Sequence, residues 1–185
     1  MARTPSTMLA LGTPLPPFSL PDVVSGLTVG DSSLVSKIGV VAFICNHCPF
    51  VMHLKKELAD FGRFCKAEGV VMLAISSNDV TTHPMDGPQA MAEDAQAQGY
   101  VFPYLYDETQ DAAHAFDAAC TPDFFVFSPD GKLAYRGQFD SSRPNSGVPV
   151  TGEDLYAAVR ALLAGQQPSL EQKPSIGCNI KWKAS

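Results

Sequence analysis

Two cysteines three positions apart, Cys45 and Cys48, stand in the stretch Phe43-Ile44-Cys45-Asn46-His47-Cys48-Pro49. Thiol chemistry runs through the thiolate, so a working pair needs a setting that lowers a thiol pKa. A helix N-terminus supplies one, through its unpaired N–H groups and its dipole. If Cys45 ends a strand and Cys48 lies in the first turn of the next helix, the sulfurs reach bonding distance and only the first is well exposed. Cys45 then attacks a substrate disulfide, and Cys48 attacks the mixed disulfide to release the product. His47, between them, is expected to stabilise the Cys45 thiolate and make the pair more oxidising. The competing use of such a pair is half of a zinc site. A structural zinc site takes four ligands, usually from two such pairs, and this chain has one CxxC. Completing it would draw on His47, His53, Cys120 or Cys178. The expectation is redox chemistry with no metal and no cofactor.

The elements that must position the pair follow from the hydrophobic pattern. The run 38–44 is continuously apolar and rich in β-branched residues, as in a central strand buried on both faces. After it, Val51, Leu54, Leu58, Phe61 and Cys65 recur at three- and four-residue steps, which predicts a helix with Pro49 in its first turn. A second buried strand is expected over 70–75, a helix over 88–98, and a short strand over 101–106. A further helix is expected from a capping box at 107–110 through 119. Strands at 124–127 and 132–135 flank Pro129-Asp130-Gly131, a hairpin signal. Thr151-Gly152-Glu153-Asp154 is expected to cap a last helix, with Leu155, Val159, Leu162 and Leu163 on its apolar face. Strands alternating with helices predict a parallel sheet, and the late hairpin adds an antiparallel edge. Residues 1–16 read as an irregular arm, 18–35 as a short hairpin, and 168–185 as a tail that packs on the main domain, 17–167.

The gross properties bound the function. The chain of 185 residues is 45% apolar and 17% charged, which suits one folded domain. A net charge of -6 and no basic patch argue against nucleic acid as a partner. No apolar run approaches ~20 residues, so no membrane partner is expected. Pro14, Pro16 and Pro17 would interrupt a signal peptide, and cytoplasmic residence is expected. Five cysteines, an odd number, do not read as a disulfide scaffold. Cys65 falls on an apolar helix face, and Cys120 is expected to be a packed, inert thiol.

Three stretches carry a family resemblance. They are Cys45-Asn46-His47-Cys48-Pro49-Phe50-Val51, Cys120-Thr121-Pro122-Asp123-Phe124-Phe125 and Ile176-Gly177-Cys178-Asn179-Ile180-Lys181-Trp182. Over about residues 18 to 183 the chain resembles bacterial thioredoxin-like redoxin proteins, the AhpC/TSA–TlpA-like group that includes the peroxiredoxins. The resemblance implies an α/β, thioredoxin-like fold: a central mixed sheet flanked by helices, with an N-terminal hairpin and an inserted strand–helix unit. It implies that the proline after Thr121, Pro122, is cis and faces the CxxC, offering a backbone edge where a substrate chain can pair. Read from its own residues, the tail carries Ile180 and Trp182 and can fold back on the domain; Cys178 is then a candidate third redox thiol, resolving a disulfide or capping the site, against the reading of a tail cysteine with no role.

The chain departs from these relatives in ways that matter. Thioredoxins carry an acid six residues before the first cysteine, and here that position is Gly39. Peroxiredoxins carry a threonine three residues before the reacting cysteine and an arginine near the strand 124–127. Neither is in its place here. The expected activity is a thiol–disulfide oxidoreductase, with an antioxidant role in view. Its expected partners are protein or small-molecule disulfides, or peroxides, and a thiol reductant. Two alternatives stay open: a peroxiredoxin-like thiol peroxidase, and a redox-inactive or metal-holding binding module.

Overall fold

A computed structural model describes residues 3–184. Its centre is β4 (Gly39–Phe43), in which every residue is buried. β4 pairs in parallel with β5 (Val71–Ser76), and β5 in parallel with β6 (Tyr104–Tyr106). On its other edge β4 pairs antiparallel with β8 (Asp123–Phe127), which pairs antiparallel with β9 (Leu133–Gly137). The expected mixed sheet is therefore five-stranded, in the order β6-β5-β4-β8-β9. Successive strand residues point to opposite faces, so this sheet feeds two cores. Val40, Ala42, Ile44, Phe124 and Val126 face α1 (Pro49–Ala67), α2 (Pro88–Gln98) and α4 (Glu153–Leu163). Val41, Phe43, Leu73, Phe125 and Phe127 face α3 (Asp111–Ala115) and the N-terminal hairpin β2 (Ser19–Pro21) and β3 (Thr28–Gly30). Burial on both faces is why the run 38–44 shows no polar alternation. In the second core Phe116 meets Phe43, Phe125 and Phe127 edge-on, a geometry worth about 0.5–1.5 kcal/mol per pair beyond area burial.

Helix boundaries follow local rules where the caps are local. α1 and α2 both start on proline, whose missing N–H costs nothing in a first turn. α2 stops at Gly99, which takes the left-handed conformation (φ 66°) that a side chain resists. Two expectations are corrected. The helix expected through 119 spans only Asp111–Ala115, because Asp117 turns left-handed (φ 51°) and sends the chain into β7 (Cys120–Thr121). The start of α4 is not held locally alone: Thr151 Oγ1 accepts the Glu153 N–H at 3.3 Å, while Asp140, from the preceding loop, accepts the N–H groups of Thr151 and Gly152 at 2.7 and 2.6 Å and fixes the turn into the helix.

The segment after Pro168 carries a strand that the pattern did not suggest. β10 (Ile176–Asn179) lies between β1 (Arg3–Pro5) and β7, antiparallel to both. Cys178 stands opposite Arg3 on one side and Thr121 on the other. Beyond it, Ile180 is buried in the second core and Trp182 stacks on His114 at 4.4 Å. Among the described residues no helix is long and apolar enough to cross a membrane.

Gly177 sets how closely β10 approaches β7. A Cβ there would stand 1.9 Å from the Thr121 carbonyl oxygen and 3.1 Å from the Pro122 nitrogen. Both are backbone atoms and cannot swing aside. Gly177→Ala should therefore cost at least about 2 kcal/mol of stability by overpacking, read as a lowered urea midpoint. An unchanged midpoint would mean that β10 is not held against β7 in solution.

Candidate active site

The strand-to-helix junction puts the cysteine pair where the spacing predicted. Ile44 still pairs with β5, its N–H reaching the Ile75 carbonyl at 3.0 Å. Cys48 is the N-cap of α1 and Pro49 its first residue. One expectation fails here: Cys45 is not well exposed. Cys45 and Cys48 are 1% and 0% exposed, because the Asp86 loop and β10 cover the junction.

Asp86 holds the loop between the cysteines. It is fully buried, and its Oδ1 accepts N–H bonds from Asn46 at 2.8 Å and His47 at 3.3 Å. Its Oδ2 lies 2.6 Å from His47 Nδ1 and accepts a bond from Asn78 Nδ2 at 2.8 Å. A buried carboxylate is tolerated only when its oxygens are met in this way. Asn46 is held further by its own amide, which donates to the Met85 carbonyl, and by Tyr104 Oη, which donates to its side-chain oxygen. The imidazole of His47 thus faces an acid rather than either sulfur and stacks on His83 at 4.8 Å. It remains near enough to Cys45 that the ligand atoms of Cys45, His47 and Asp86 lie within 4.8 Å of one another. Among the described residues these three form the cluster that could hold a metal. Both Asp86 oxygens are already committed, so a metal would have to displace the contacts that shape the loop.

Thr121 and Pro122 reach the pair from the opposite side. The Thr121–Pro122 peptide is cis, as the resemblance implied. Thr121 Oγ1 lies 3.2 Å from Cys45 Sγ, and the Thr121 carbonyl oxygen 3.2 Å from Cys48 Sγ. Cys178 arrives on β10, 2% exposed, with its sulfur 2.8 Å from that of Cys48. All five cysteines are buried, and none is in a disulfide. Cys120 packs against the backbone with its thiol pushed up by burial, and Cys65 is likewise raised, to about 12. Both fit the expectation of inert packed thiols.

Cys48 is the most readily ionised of the site's thiols. The Cys45 thiol donates to it, and Cys178 and the Val51 and Cys178 N–H groups add further donors. The Thr121 carbonyl opposes this, since an oxygen at 3.2 Å suits a thiol better than a thiolate. Several donors against one carbonyl carry the balance, and the Cys48 pKa falls from 9.0 to about 5 in spite of burial. Cys45 moves the other way, chiefly because it holds the proton it shares with Cys48 and then because it is buried. Cys178 is pushed up to about 12 by burial and by its neighbour Cys48. The lowered thiol is the second of the pair and not the first, and the donor that lowers it most is the Cys45 thiol, with the helix N–H of Val51 a smaller contributor. The roles of Asp86, Asn78 and Asn46 are not legible in the sequence: Asn46 stands in the motif without a mark of its own, and Asp86 lies outside any motif and reads as an ordinary turn residue before Gly87.

Residues 11–136 match the AhpC/TSA family. Among curated proteins there is no match. An uncharacterized conserved protein from Geobacillus kaustophilus is 50% identical, with a TM-score of 0.98 over 100% of this chain and 98% of that one. A hypothetical protein from Sinorhizobium meliloti 1021 is 44% identical, with a TM-score of 0.95 over 98% and 100%. A thiol:disulfide interchange protein of the thioredoxin family from Chlorobium tepidum shares the fold, at 19% identity and a TM-score of 0.64 over 83% and 98%.

The ionisation pattern has a direct readout. A group with pKa about 5 is protonated below that pH and charged above it. Ultraviolet thiolate absorbance of the reduced protein should therefore rise by one thiolate as the pH passes upward through about 5. The step should disappear in Cys48→Ser. A step that survives in Cys48→Ser would move the charge to another sulfur.

Proposed function

The chain belongs to the AhpC/TSA family, and from that premise we propose that it is a thiol–disulfide oxidoreductase working through Cys45 and Cys48. The observation that carries the reading is the geometry of the junction. Cys48 caps α1 with Cys45 just before it, and Thr121, beside the cis-Pro122, reaches both sulfurs at 3.2 Å. The reaction begins as Cys45 passes its proton to Cys48, the more readily ionised of the two. The Cys45 thiolate, now receiving the Thr121 hydroxyl, attacks one sulfur of the substrate disulfide, and the other sulfur leaves as a thiolate. Cys48 gives up its proton and attacks Cys45 of the mixed disulfide. The second substrate sulfur leaves, and the Cys45–Cys48 bond forms. Two electrons pass to the substrate, and its two thiolates take up protons. A small cellular thiol would reverse the sequence and restore the pair, which suits a cytoplasmic setting. His47 serves as a positioning residue, fixed by Asp86.

The surroundings favour a small-molecule disulfide over a protein chain. The backbone edge at Thr121, where an extended substrate would pair, is taken by the chain's own β10. Cys45 is nearly closed from solvent. The peroxidase reading lacks the polarising donors it needs. Arg136 and Arg143, the arginines of this region, spend their guanidinium groups on carbonyl oxygens of the backbone and of Gln172 and Gln138.

Turnover of oxidised glutathione and of insulin by the reduced protein tests this directly. We expect faster exchange with the small disulfide, and loss of exchange by about a hundredfold or more in Cys45→Ser. Wild-type rates in Cys45→Ser would end the proposal. Faster reduction of insulin would overturn the preference for small substrates.

A further inference from the structure

We propose that Cys178 is a further catalytic residue, which takes over the disulfide from Cys45 by attacking Cys48. The inference rests on the reading of Cys45 and Cys48 as a redox pair and adds where the oxidised bond comes to lie.

The first observation is position. Cys178 stands opposite Thr121, so the tail presents a sulfur beside the pair where an incoming disulfide would otherwise lie. In the reduced protein its sulfur is 2.8 Å from that of Cys48, within attacking distance. The second observation is that this placement is secured on both sides of Cys178. On the N-terminal side, Ser175 Oγ donates to the Pro122 carbonyl, and the Ser175 carbonyl accepts the Ser6 N–H at 2.9 Å. On the C-terminal side, Ile180 N–H reaches the Ala119 carbonyl at 3.0 Å. Lys181 N–H bonds to Asn78 Oδ1 at 2.8 Å, and its carbonyl accepts the Asp79 N–H at 2.8 Å. Asn78 is also a ligand of Asp86, so the tail and the cysteine loop share one hydrogen-bond network. A tail that merely covered the pair would need neither a thiol at this position nor a glycine before it to bring the strand so close.

The step needs no oxidant beyond the one that made the first bond. In the oxidised pair, the Cys178 thiol loses its proton and its sulfur attacks Cys48 Sγ. The Cys45–Cys48 bond breaks, the Cys48–Cys178 bond forms, and the electron pair leaves on Cys45. Cys45 takes up the proton and regains the Thr121 hydroxyl as its neighbour. The number of disulfides is unchanged; the bond has moved inward, tying β10 to the start of α1. Reduction reverses the path, with Cys45 attacking Cys48 to release Cys178.

The test is a time course on the full chain. The reduced protein is oxidised with one equivalent of diamide, quenched in acid at intervals, alkylated and mapped by mass spectrometry. We expect the Cys45–Cys48 linkage first, then its loss with gain of Cys48–Cys178 and alkylated Cys45. In Cys178→Ser the first linkage should persist, and circular dichroism reports whether that variant is folded. The wild-type map stands without it. A persistent Cys45–Cys48 bond with Cys178 alkylated throughout would overturn the transfer and leave the proposed function intact. Oxidation that yields no linkage within the chain would overturn both.

Discussion

A negative charge inside a protein has to be surrounded by donors, and much of this molecule's arrangement meets that requirement at Cys48. The first turn of α1 brings the Val51 N–H, the preceding loop brings the Cys45 thiol, and β10 brings a second thiol and a backbone N–H. These donors come from three separate parts of the chain. The buried β4 aims the loop at the start of α1, and Asp86 holds it there. Each acidic or thiolate centre is thereby enclosed by groups that lose their own partners if it goes. Asp86 shows the same logic one layer out, with two backbone donors, an amide and an imidazole around one carboxylate.

How much of this was legible in the sequence follows the range of each interaction. The strand 38–44, the helix after it and the helix over 88–98 are local patterns, set by apolar periodicity, proline and glycine, and they stand where they were expected. The cysteine pair at a strand-to-helix junction is equally local. Failures begin where a partner is remote. The turn that leads into α4 is fixed by Asp140, which no capping box includes. Asp86 is 38 positions beyond Cys48, and a lone acid in a turn carries no mark of what it will hold. β10 is four residues long, with a glycine and an asparagine, and is held by β1 and β7, both remote in sequence, so neither alternation nor β-propensity betrays it. The exposure expected of Cys45 failed for the same reason, because the cover is not part of the motif.

Cys178 illustrates how a weak sequence signal acquires meaning from geometry. In the sequence it is a cysteine in a tail beside a glycine, with no spacing that ties it to Cys45 or Cys48. In the fold its sulfur touches Cys48, and its neighbour Gly177 is the residue that lets the strand come so near. The arrangement also separates this chain from a thioredoxin with an open binding edge. The edge is present, and the protein fills it itself.

The pairing of β1 with β10 joins residues 3–5 to residues 176–178 and so closes almost the whole chain into one ring. The entropy of closing such a ring grows only with the logarithm of its length, so the finished structure loses little by it. Its cost falls on folding time instead, because pairings so distant in sequence form slowly. The strand that closes this ring is also the one that lies along Thr121 and seats Cys178 against Cys48, so the two ends of the described chain meet at the reactive sulfurs.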